Sequence, residues 1–298
     1  MTFLAIFLGG LLGFVGGSEW IIRRLALPGD AMEAQKLEFA TATAPTAAFG
    51  DSHVAEGLVS GHEFVNLGHG GEILPMMLAK AEAYALSGRG KRIILQFSPE
   101  QFAIYRAARI DSEAADDFFN RSKPWFVFLR PQFRSNLLAY WSSILRQPWR
   151  LFQTTNTTTG ATTLAAPEFV TLPADERRRS AEIRAQLHAP LPADSPAVKA
   201  LLAQLSSSLD LFRQRNIQTC LVEYPVTSDY RNAAAKIETF ATLRARFRDL
   251  AASTGARLVE LADSLPDESF GDADHIHVSF RPHTTKLVLE KCFATSGS

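Results

Sequence analysis

Two short stretches of the chain contain the residue types that are needed for nucleophilic chemistry at a serine. Ser52 follows Gly50 and Asp51, and Asp274 lies three residues before His277 near the other end of the chain. A serine hydroxyl attacks an ester carbonyl when a histidine takes its proton and a carboxylate holds that histidine in the required tautomer. Ser52, His277 and Asp274 therefore supply the three residue types that this chemistry requires.

The elements around these stretches must bring them together. A short apolar run at 46–49 ends at the turn that carries Ser52, which predicts a first strand followed by a helix. Further strands are predicted at 63–67, 91–97, 216–224 and 257–261, and helices at 54–59, 72–86, 99–105, 230–253 and 280–292. Strands that alternate with helices over short connections predict an α/β fold, a three-layer α/β/α sandwich with a parallel sheet.

Together, the two motifs and their positions resemble the SGNH/GDSL hydrolase superfamily. Members of that superfamily carry G-D-S near the start of the domain and D-x-x-H near its end, as this chain does at Gly50–Ser52 and Asp274–His277. The resemblance covers residues 46–110 and 217–289. It implies an SGNH-like catalytic domain that acts on ester bonds, a serine hydrolase or acyltransferase. By this resemblance Ser52 is expected to be the nucleophile, His277 the general base and Asp274 its orienting partner.

The resemblance also implies an oxyanion hole, the set of hydrogen-bond donors that stabilises charge appearing only in the transition state. The family builds it from the backbone N–H of the nucleophile, a glycine after the second strand and an asparagine after the third. By this resemblance the donors here are Ser52, Gly71 and Ser98, with Gly68 as the alternative glycine. Ser98 stands where the family has asparagine, and this departure leaves open a catalytically inactive SGNH-fold accessory or scaffold protein of an exopolysaccharide assembly.

The other polar residues near the motifs are interpreted as structural. Asp51 is expected to brace the turn, and His53 and His69 are expected to support the pocket rather than contact substrate. The stretch 272–283, rich in Asp and His, matches none of the usual metal-ligand spacings. The chain has no glycine-rich phosphate loop and no dinucleotide fingerprint either. We therefore expect neither a metal nor a cofactor.

Residues 1–24 are predicted to be a membrane helix or a signal segment, because residues 2–18 carry no charge and are mostly apolar. Residues 25–43 are interpreted as a connector, and the catalytic domain is expected at 44–298. Two arginines directly after the apolar run favour a cytoplasmic domain, which leaves a cytoplasmic lipid esterase open. Resemblance to membrane-anchored polysaccharide O-acetyltransferases and D-alanyl transfer proteins instead implies a single-pass membrane protein with an extracytoplasmic, periplasmic domain.

Residues 120–192 interrupt the alternation of strands and helices and are predicted to be a helical insertion. Its first part, 121–152, mixes basic and aromatic residues, which fits either a cap with its own small core or a membrane interface. Basic and acidic residues number 31 each, so no overall charge favours nucleic acid, and none is expected as a partner. The cysteines leave two interpretations open: a buried core residue at Cys220, or a bridge between Cys220 and Cys292 in an exported domain.

The function that the resemblance implies is hydrolysis or transfer of an acyl group through an acyl-Ser52 intermediate. The expected substrate is an acylated carbohydrate or a cell-envelope polymer, with a membrane acyltransferase as a candidate partner. Water and a sugar hydroxyl are both open as the acceptor, because hydrolysis and transfer differ in access to the pocket and not in the identity of the triad. A cap formed by residues 121–150 that excludes water from the site would favour transfer. The acyl group and the oligomeric state are not predicted.

Overall fold

The computed structural model describes residues 2–26, 31–107, 118–119, 126–130, 137–146 and 169–294. The chain forms two compact units, of which the first comprises residues 1–41 and 116–163 and the second comprises residues 42–115 and 164–298. All residues predicted for the site lie in the second unit. The predicted insertion at 120–192 falls partly in each unit.

The second unit is built on one parallel sheet of five strands. In chain order the strands are β1 (Thr46–Phe49), β2 (Phe64–Asn66), β3 (Arg92–Gln96), β4 (Gln218–Glu223) and β5 (Arg257–Glu260). They are arranged in the order β2-β1-β3-β4-β5, and each neighbouring pair is parallel. The predicted α/β class with a parallel sheet is therefore confirmed, and each predicted strand is present.

Helices connect the strands. In chain order, the α-helices among the described residues are α1 (Thr2–Ile21), α2 (Ala31–Thr41), α3 (Ser52–Gly57), α4 (Leu74–Leu86), α5 (Ile104–Ala107), α6 (Leu137–Arg146), α7 (Ala174–Leu187), α8 (Pro196–Gln214), α9 (Ser228–Ala234), α10 (Glu238–Thr254) and α11 (Arg281–Phe293). A π-helical turn, Ile22–Ala26, follows α1. Short 3₁₀ turns lie at Pro99–Phe102, Val127–Leu129, Phe169–Thr171, Asp267–Ser269 and Val278–Phe280.

Capping side chains define where several of these helices begin. Ser195 accepts a hydrogen bond from the N–H of Val198 at 3.4 Å, and a proline follows it, so α8 begins directly after Ser195. Thr227 caps α9 in the same way through the N–H of Tyr230. The single helix predicted at 230–253 is wrong, because the chain forms α9 and α10 with a break between them.

The strands are buried on both faces, as expected for a parallel sheet. On one face, Ala48, Ile94 and Cys220 pack in a core cluster with residues of α3 and α11. On the other face, the ring of Phe49 packs edge-on against Tyr84 of α4, with ring centroids 6.0 Å apart. Ala48 and Phe49 point to opposite sides because side chains alternate along a strand. Helices therefore lie against both faces of the sheet.

A disulfide joins Cys220 on β4 to Cys292 on α11. Both cysteines are buried in the cluster that packs α11 against the sheet. The structure therefore contains the bridge that the sequence left open, and Cys220 is a core residue as well. The bridge fixes the last helix of the described chain to strand β4.

The first unit packs the N-terminal helix against part of the basic and aromatic segment. The indole Nε1 of Trp141 in α6 donates to Ser18 Oγ in α1 at 3.0 Å, and the Trp141 ring stacks on that of Phe14. A small buried core of this unit consists of Ile22, Val127 and Phe128. Aromatic residues of the segment thus contribute to a core, which they share with N-terminal residues. Nowhere in the described ranges is a helix both long and apolar enough to cross a membrane.

Candidate active site

The turn after β1 presents Ser52 at the start of α3. Gly50 has no room for a side chain, because a Cβ there would lie 2.1 Å from Val54 Cγ2. Asp51 caps the helix, since its carboxylate accepts the N–H of His53 at 2.9 Å. Asp51, and not Ser52, is the capping residue, which leaves the Ser52 hydroxyl available at the carboxyl edge of the sheet.

The loop after β5 brings a histidine and a carboxylate to that hydroxyl. His275 Nε2 lies 2.8 Å from Ser52 Oγ, and His275 Nδ1 lies 2.9 Å from Asp272 Oδ2. Asp272 Oδ1 also accepts the backbone N–H groups of Asp274 and His275, at 3.0 and 2.7 Å, so the loop folds around this carboxylate. Both relay contacts fall within the roughly 2.6 to 3.2 Å expected between a nucleophile, its base and the orienting group.

The structure corrects the predicted pairing of histidine and carboxylate. His277 Nδ1 lies 2.7 Å from Ser279 Oγ, and the His277 side chain caps the 3₁₀ turn that leads into α11. The Asp274 carboxylate lies near His53, His188 and Arg184, at 3.2 to 3.5 Å. The relay to the serine therefore contains His275 and Asp272 in place of His277 and Asp274.

Two overlapping copies of one motif explain this difference. The stretch 272–277 contains D-x-x-H twice, two residues apart. Gly271 donates its N–H to the His275 carbonyl at 3.0 Å and closes a turn in which the His275 ring meets Ser52. His277 lies beyond that turn. The first copy of the motif was visible in the sequence, so counting both copies would have included the residues of the relay.

The donors predicted for an oxyanion hole lie in different settings. The backbone N–H of Ser52 has no hydrogen-bond partner among the described residues. Gly68 donates its N–H to Asn66 Oδ1 at 3.0 Å, so this alternative donor is already engaged. Gly71 is exposed with a φ of 71°, and Ser98 is buried at the start of the 3₁₀ turn that follows β3. The oxyanion roles of Gly71 and Ser98 stay predictions.

Burial and mutual attraction shift the pKa values of the relay pair in opposite directions. Burial alone would raise the pKa of Asp272, but hydrogen bonding and the charge of His275 hold it well below the usual range. Burial alone would lower the pKa of His275, but its hydrogen bond with Asp272 and the charges of both aspartates raise it, while His53 opposes the rise. Asp272 is therefore ionised at neutral pH, and His275 is a stronger base than an ordinary histidine.

A second set of charges lies buried next to Ser52. Asp51 is fully buried, and its carboxylate contacts His53 Nδ1 at 2.9 Å, Gln101 Nε2 at 2.7 Å and Arg106 Nη2 at 2.6 Å. Burial alone would raise the pKa of Asp51, but the charges of His53 and Arg106 hold it well below its usual range. Asp51 is therefore an ionised residue that ties the turn to the surrounding core.

Asp274 is the second fully buried carboxylate of this set. Its oxygens lie 3.5 Å from His53 Nε2, 3.5 Å from His188 Nδ1, 3.4 Å from His275 Nδ1 and 3.2 Å from Arg184 Nε. A buried carboxylate is costly unless basic groups surround it, and these four supply that environment. Asp274 therefore lies beside the relay, but the short hydrogen bond to His275 Nδ1 is made by Asp272 and not by Asp274.

Two groups of these side chains have spacings compatible with a metal ion. His53, Asp274 and His275 place one ligand atom each within 4.8 Å of one another, and so do Asp51, His53 and Glu100. In both groups the imidazole nitrogens already face a carboxylate or the serine hydroxyl. We therefore interpret both groups as ion-pair networks and assign no metal ligand.

A cavity of about 900 Å³ lies at the opposite end of the sheet. Its lining includes Gln218, Thr219 and Arg257, at the amino ends of β4 and β5. The relay follows the carboxyl ends of the strands and contributes no residue to this lining. The cavity is therefore separate from the candidate chemistry.

No protein-family model and no curated protein matches this chain. The fold and the site define it by class, as an α/β protein that holds a serine, a histidine and an aspartate in hydrogen-bond contact. This arrangement lies at the carboxyl edge of a parallel sheet.

Proposed function

We propose that this chain is an SGNH-type serine hydrolase or acyltransferase that acts on ester bonds. The observation that carries the proposal is the contact of Ser52 Oγ with His275 Nε2, together with the Asp272 carboxylate at Nδ1. The strand order and the helices against both faces of the sheet are compatible with the three-layer α/β/α sandwich of that superfamily. The site also lies beyond the carboxyl ends of the strands, where open α/β sheets bind ligands.

The proposed reaction passes through an acyl-Ser52 intermediate. His275 removes the proton from Ser52 Oγ as this oxygen attacks the ester carbonyl carbon, and Asp272 stabilises the imidazolium that forms. The leaving alcohol takes the proton from His275. Water or a sugar hydroxyl then gives a proton to His275 as it attacks the acyl carbon. His275 returns that proton to Ser52 Oγ as the bond between Ser52 and the acyl carbon breaks, which restores the free serine. The N–H of Ser52, with Gly71 and Ser98 as the further predicted donors, would stabilise the oxyanion.

An acylated carbohydrate or cell-envelope polymer is the substrate class that we propose. It follows from the resemblance of the motifs to the membrane-anchored members of the superfamily. The disulfide between Cys220 and Cys292 supports an exported domain, because disulfides persist mainly in oxidising compartments. We therefore propose a periplasmic domain with a membrane acyltransferase as its acyl-donor partner, and membrane attachment through residues 1–24 stays a prediction.

Labelling of the purified chain with a fluorophosphonate tests this proposal. Wild-type protein should be modified at Ser52, because the reagent reacts with a serine whose proton a histidine removes. Ser52→Ala should abolish the modification, which mass spectrometry of peptides localises. His275→Gln should slow labelling by about 10³-fold or more, whereas its matched control His277→Gln should slow it by less than about threefold.

Two outcomes would count against this assignment. Equal losses in His275→Gln and His277→Gln, with circular dichroism like that of wild type, would contradict the relay. A folded wild-type protein that takes up no label would favour the catalytically inactive accessory or scaffold protein instead. The observation behind that alternative is Ser98, which replaces the asparagine of the family and is only 3% exposed.

A further inference from the structure

The ring of His53 lies directly against the ring of the proposed base. The His53 and His275 rings are stacked, with planes 24° apart and centroids separated by 5.0 Å. His53 is 5% exposed and follows Ser52 in α3, so one short helix holds both the nucleophile and this ring. Ser52 and Asp272 contact the two nitrogens of His275, while His53 covers one of its faces.

Carboxylates face both nitrogens of His53. Nδ1 lies 2.9 Å from Asp51 Oδ1 and 4.0 Å from Glu100 Oε1, and Nε2 lies 3.5 Å from Asp274 Oδ2. The Gln96 amide nitrogen is 3.4 Å from Nδ1. Burial alone would lower the pKa of His53, but these carboxylates raise it well above the ordinary value. The ring is therefore an imidazolium at neutral pH, hydrogen-bonded to Asp51 at Nδ1 and within ion-pair distance of Asp274 at Nε2.

Two further basic groups approach Asp274 from outside this stack. Arg184 of α7 lies 3.2 Å from Asp274 and 3.5 Å from Asp272, with about a third of its side chain exposed. His188 lies 3.5 Å from Asp274, but burial lowers its pKa to about 4, so it is neutral at neutral pH. Arg184 and the His53 imidazolium are therefore the cations that face Asp274, and only His53 stacks on the base.

We propose that His53 is a positioning residue for His275: its buried ring carries a fixed positive charge that offsets the negative charge of Asp272 and Asp274 at the base. These carboxylates lie 2.9 and 3.4 Å from His275 Nδ1, and without a nearby cation they would favour a proton on the His275 ring. A protonated ring cannot accept the proton of Ser52. This inference rests on the proposed function of the Ser52 site.

Nuclear magnetic resonance of the histidine rings in the wild-type protein gives the first test. The ¹⁵N shifts of an imidazole distinguish its neutral from its doubly protonated form, and the chain has seven histidines to assign. We expect His53 to stay doubly protonated at pH 8, about 1.5 units above the ordinary histidine pKa. A neutral His53 ring at pH 7 would overturn the inference without any substitution of a buried residue.

The variant His53→Gln gives the second test. Glutamine keeps hydrogen-bonding capacity and removes the charge, so the pKa of His275 should rise by at least about half a unit. The pH at which the labelling rate falls on the acid side should rise by the same amount. At higher pH the rate of the variant should return to that of wild type. His62→Gln is the matched control, because the His62 side chain is 97% exposed, and it should change neither quantity.

The outcomes separate this inference from the proposed function. An unchanged pKa of His275 in folded His53→Gln protein would overturn the inference, as would an equal loss of labelling at every pH. If wild type takes up no label and the pKa of His275 still rises in the variant, the proposed function fails and the charge offset stands. If His53→Gln does not fold, the titration of the wild-type rings decides alone.

Discussion

At the scale of single residues, two buried histidines give the stability of the fold opposite dependences on pH. Folding raises the pKa of His53 well above 6.5 and lowers that of His188 to about 4. The contribution of His53 is fully present below its unfolded pKa and is lost as the pH rises through the folded value. His188 stays neutral in the fold but binds a proton when unfolded, so its contribution is lost as the pH falls from 6.5 toward 4.

The free energy of unfolding should therefore be greatest near pH 6.5, the ordinary histidine pKa, and should fall on both sides. Each histidine contributes a slope of at most about 1.4 kcal/mol per pH unit. Urea unfolding from about pH 4.5 to about pH 8.5 measures this profile. His188→Gln should reduce the slope of its acid side, to which the lowered pKa of His69 also contributes, and His53→Gln should reduce the slope of its alkaline side, to which the raised pKa of His275 also contributes. A flat wild-type profile across this range would contradict both pKa directions.

Local pattern and long-range packing divide the site residues into those that could be predicted from sequence and those that could not. Ser52 was predictable because an apolar run ends in a glycine and an aspartate directly before it. His275 was not singled out, because two D-x-x-H motifs have the same spacing and a turn closed at Gly271 decides between them. The contacts of Asp51 with Gln101 join residues 50 positions apart, and no local pattern reports such a pair.

At the scale of elements, the turn between β1 and α3 sets the position of the nucleophile. A Cβ on residue 50 would lie 2.1 Å from Val54 Cγ2 and 2.8 Å from Gln96 Cβ, so Gly50→Ala must displace α3 or β3. We expect this substitution to lower the free energy of unfolding by about 2 to 4 kcal/mol. Labelling of Ser52 should fall by at least about tenfold, because the helix that carries the hydroxyl moves relative to His275.

Gly61→Ala is the matched control for this prediction. A Cβ at Gly61 would meet no atom within 4 Å, so the free energy of unfolding should change by less than about 0.5 kcal/mol. Chemical denaturation and the labelling rate are measured for both variants. Wild-type stability in Gly50→Ala would show that the turn accepts a side chain, and the steric argument would then be wrong.

The strands of the sheet were easier to predict from the sequence than the helices. The strands are short and mostly apolar runs, whereas neither a glycine nor a proline marks the break between α9 and α10 in the sequence. Lys236 and Ile237 donate their N–H groups to carbonyls three residues earlier, and Ile237 has an extended backbone (φ −109°, ψ 105°) that separates the two helices. The helix α8 was not predicted, although Ser195 and Pro196 are typical signals for the start of a helix.

At the scale of the whole molecule, contacts between distant segments determine which residues form one unit. The sequence suggested an N-terminal segment followed by a domain with an insertion. In the structure the N-terminal helix shares a unit with residues 116–163, through contacts such as that of Trp141 with Ser18. These residues are 123 positions apart, so neither periodicity nor composition could predict their association.

The disulfide between Cys220 and Cys292 spans 72 positions, and the loop it closes contains β5 and the relay loop at 272–275. Closing a loop of this length lowers the entropy of the unfolded chain and stabilises the fold by roughly 4 kcal/mol. Reduction of the wild-type protein should therefore lower Tm by about 10 °C, as measured by calorimetry with and without reductant.

The double variant Cys220→Ala/Cys292→Ala separates the bridge from other effects of the reductant, because its Tm should not respond to reduction. That variant also leaves cavities in the core cluster around both residues, so its own Tm should lie below that of reduced wild type.

Fluorophosphonate labelling of Ser52 in the reduced wild-type protein should persist well below its Tm, because the hydrogen bonds of Asp272 and Gly271 hold the relay loop locally. Free thiols with an unchanged Tm would mean that the bridge does not constrain the unfolded chain.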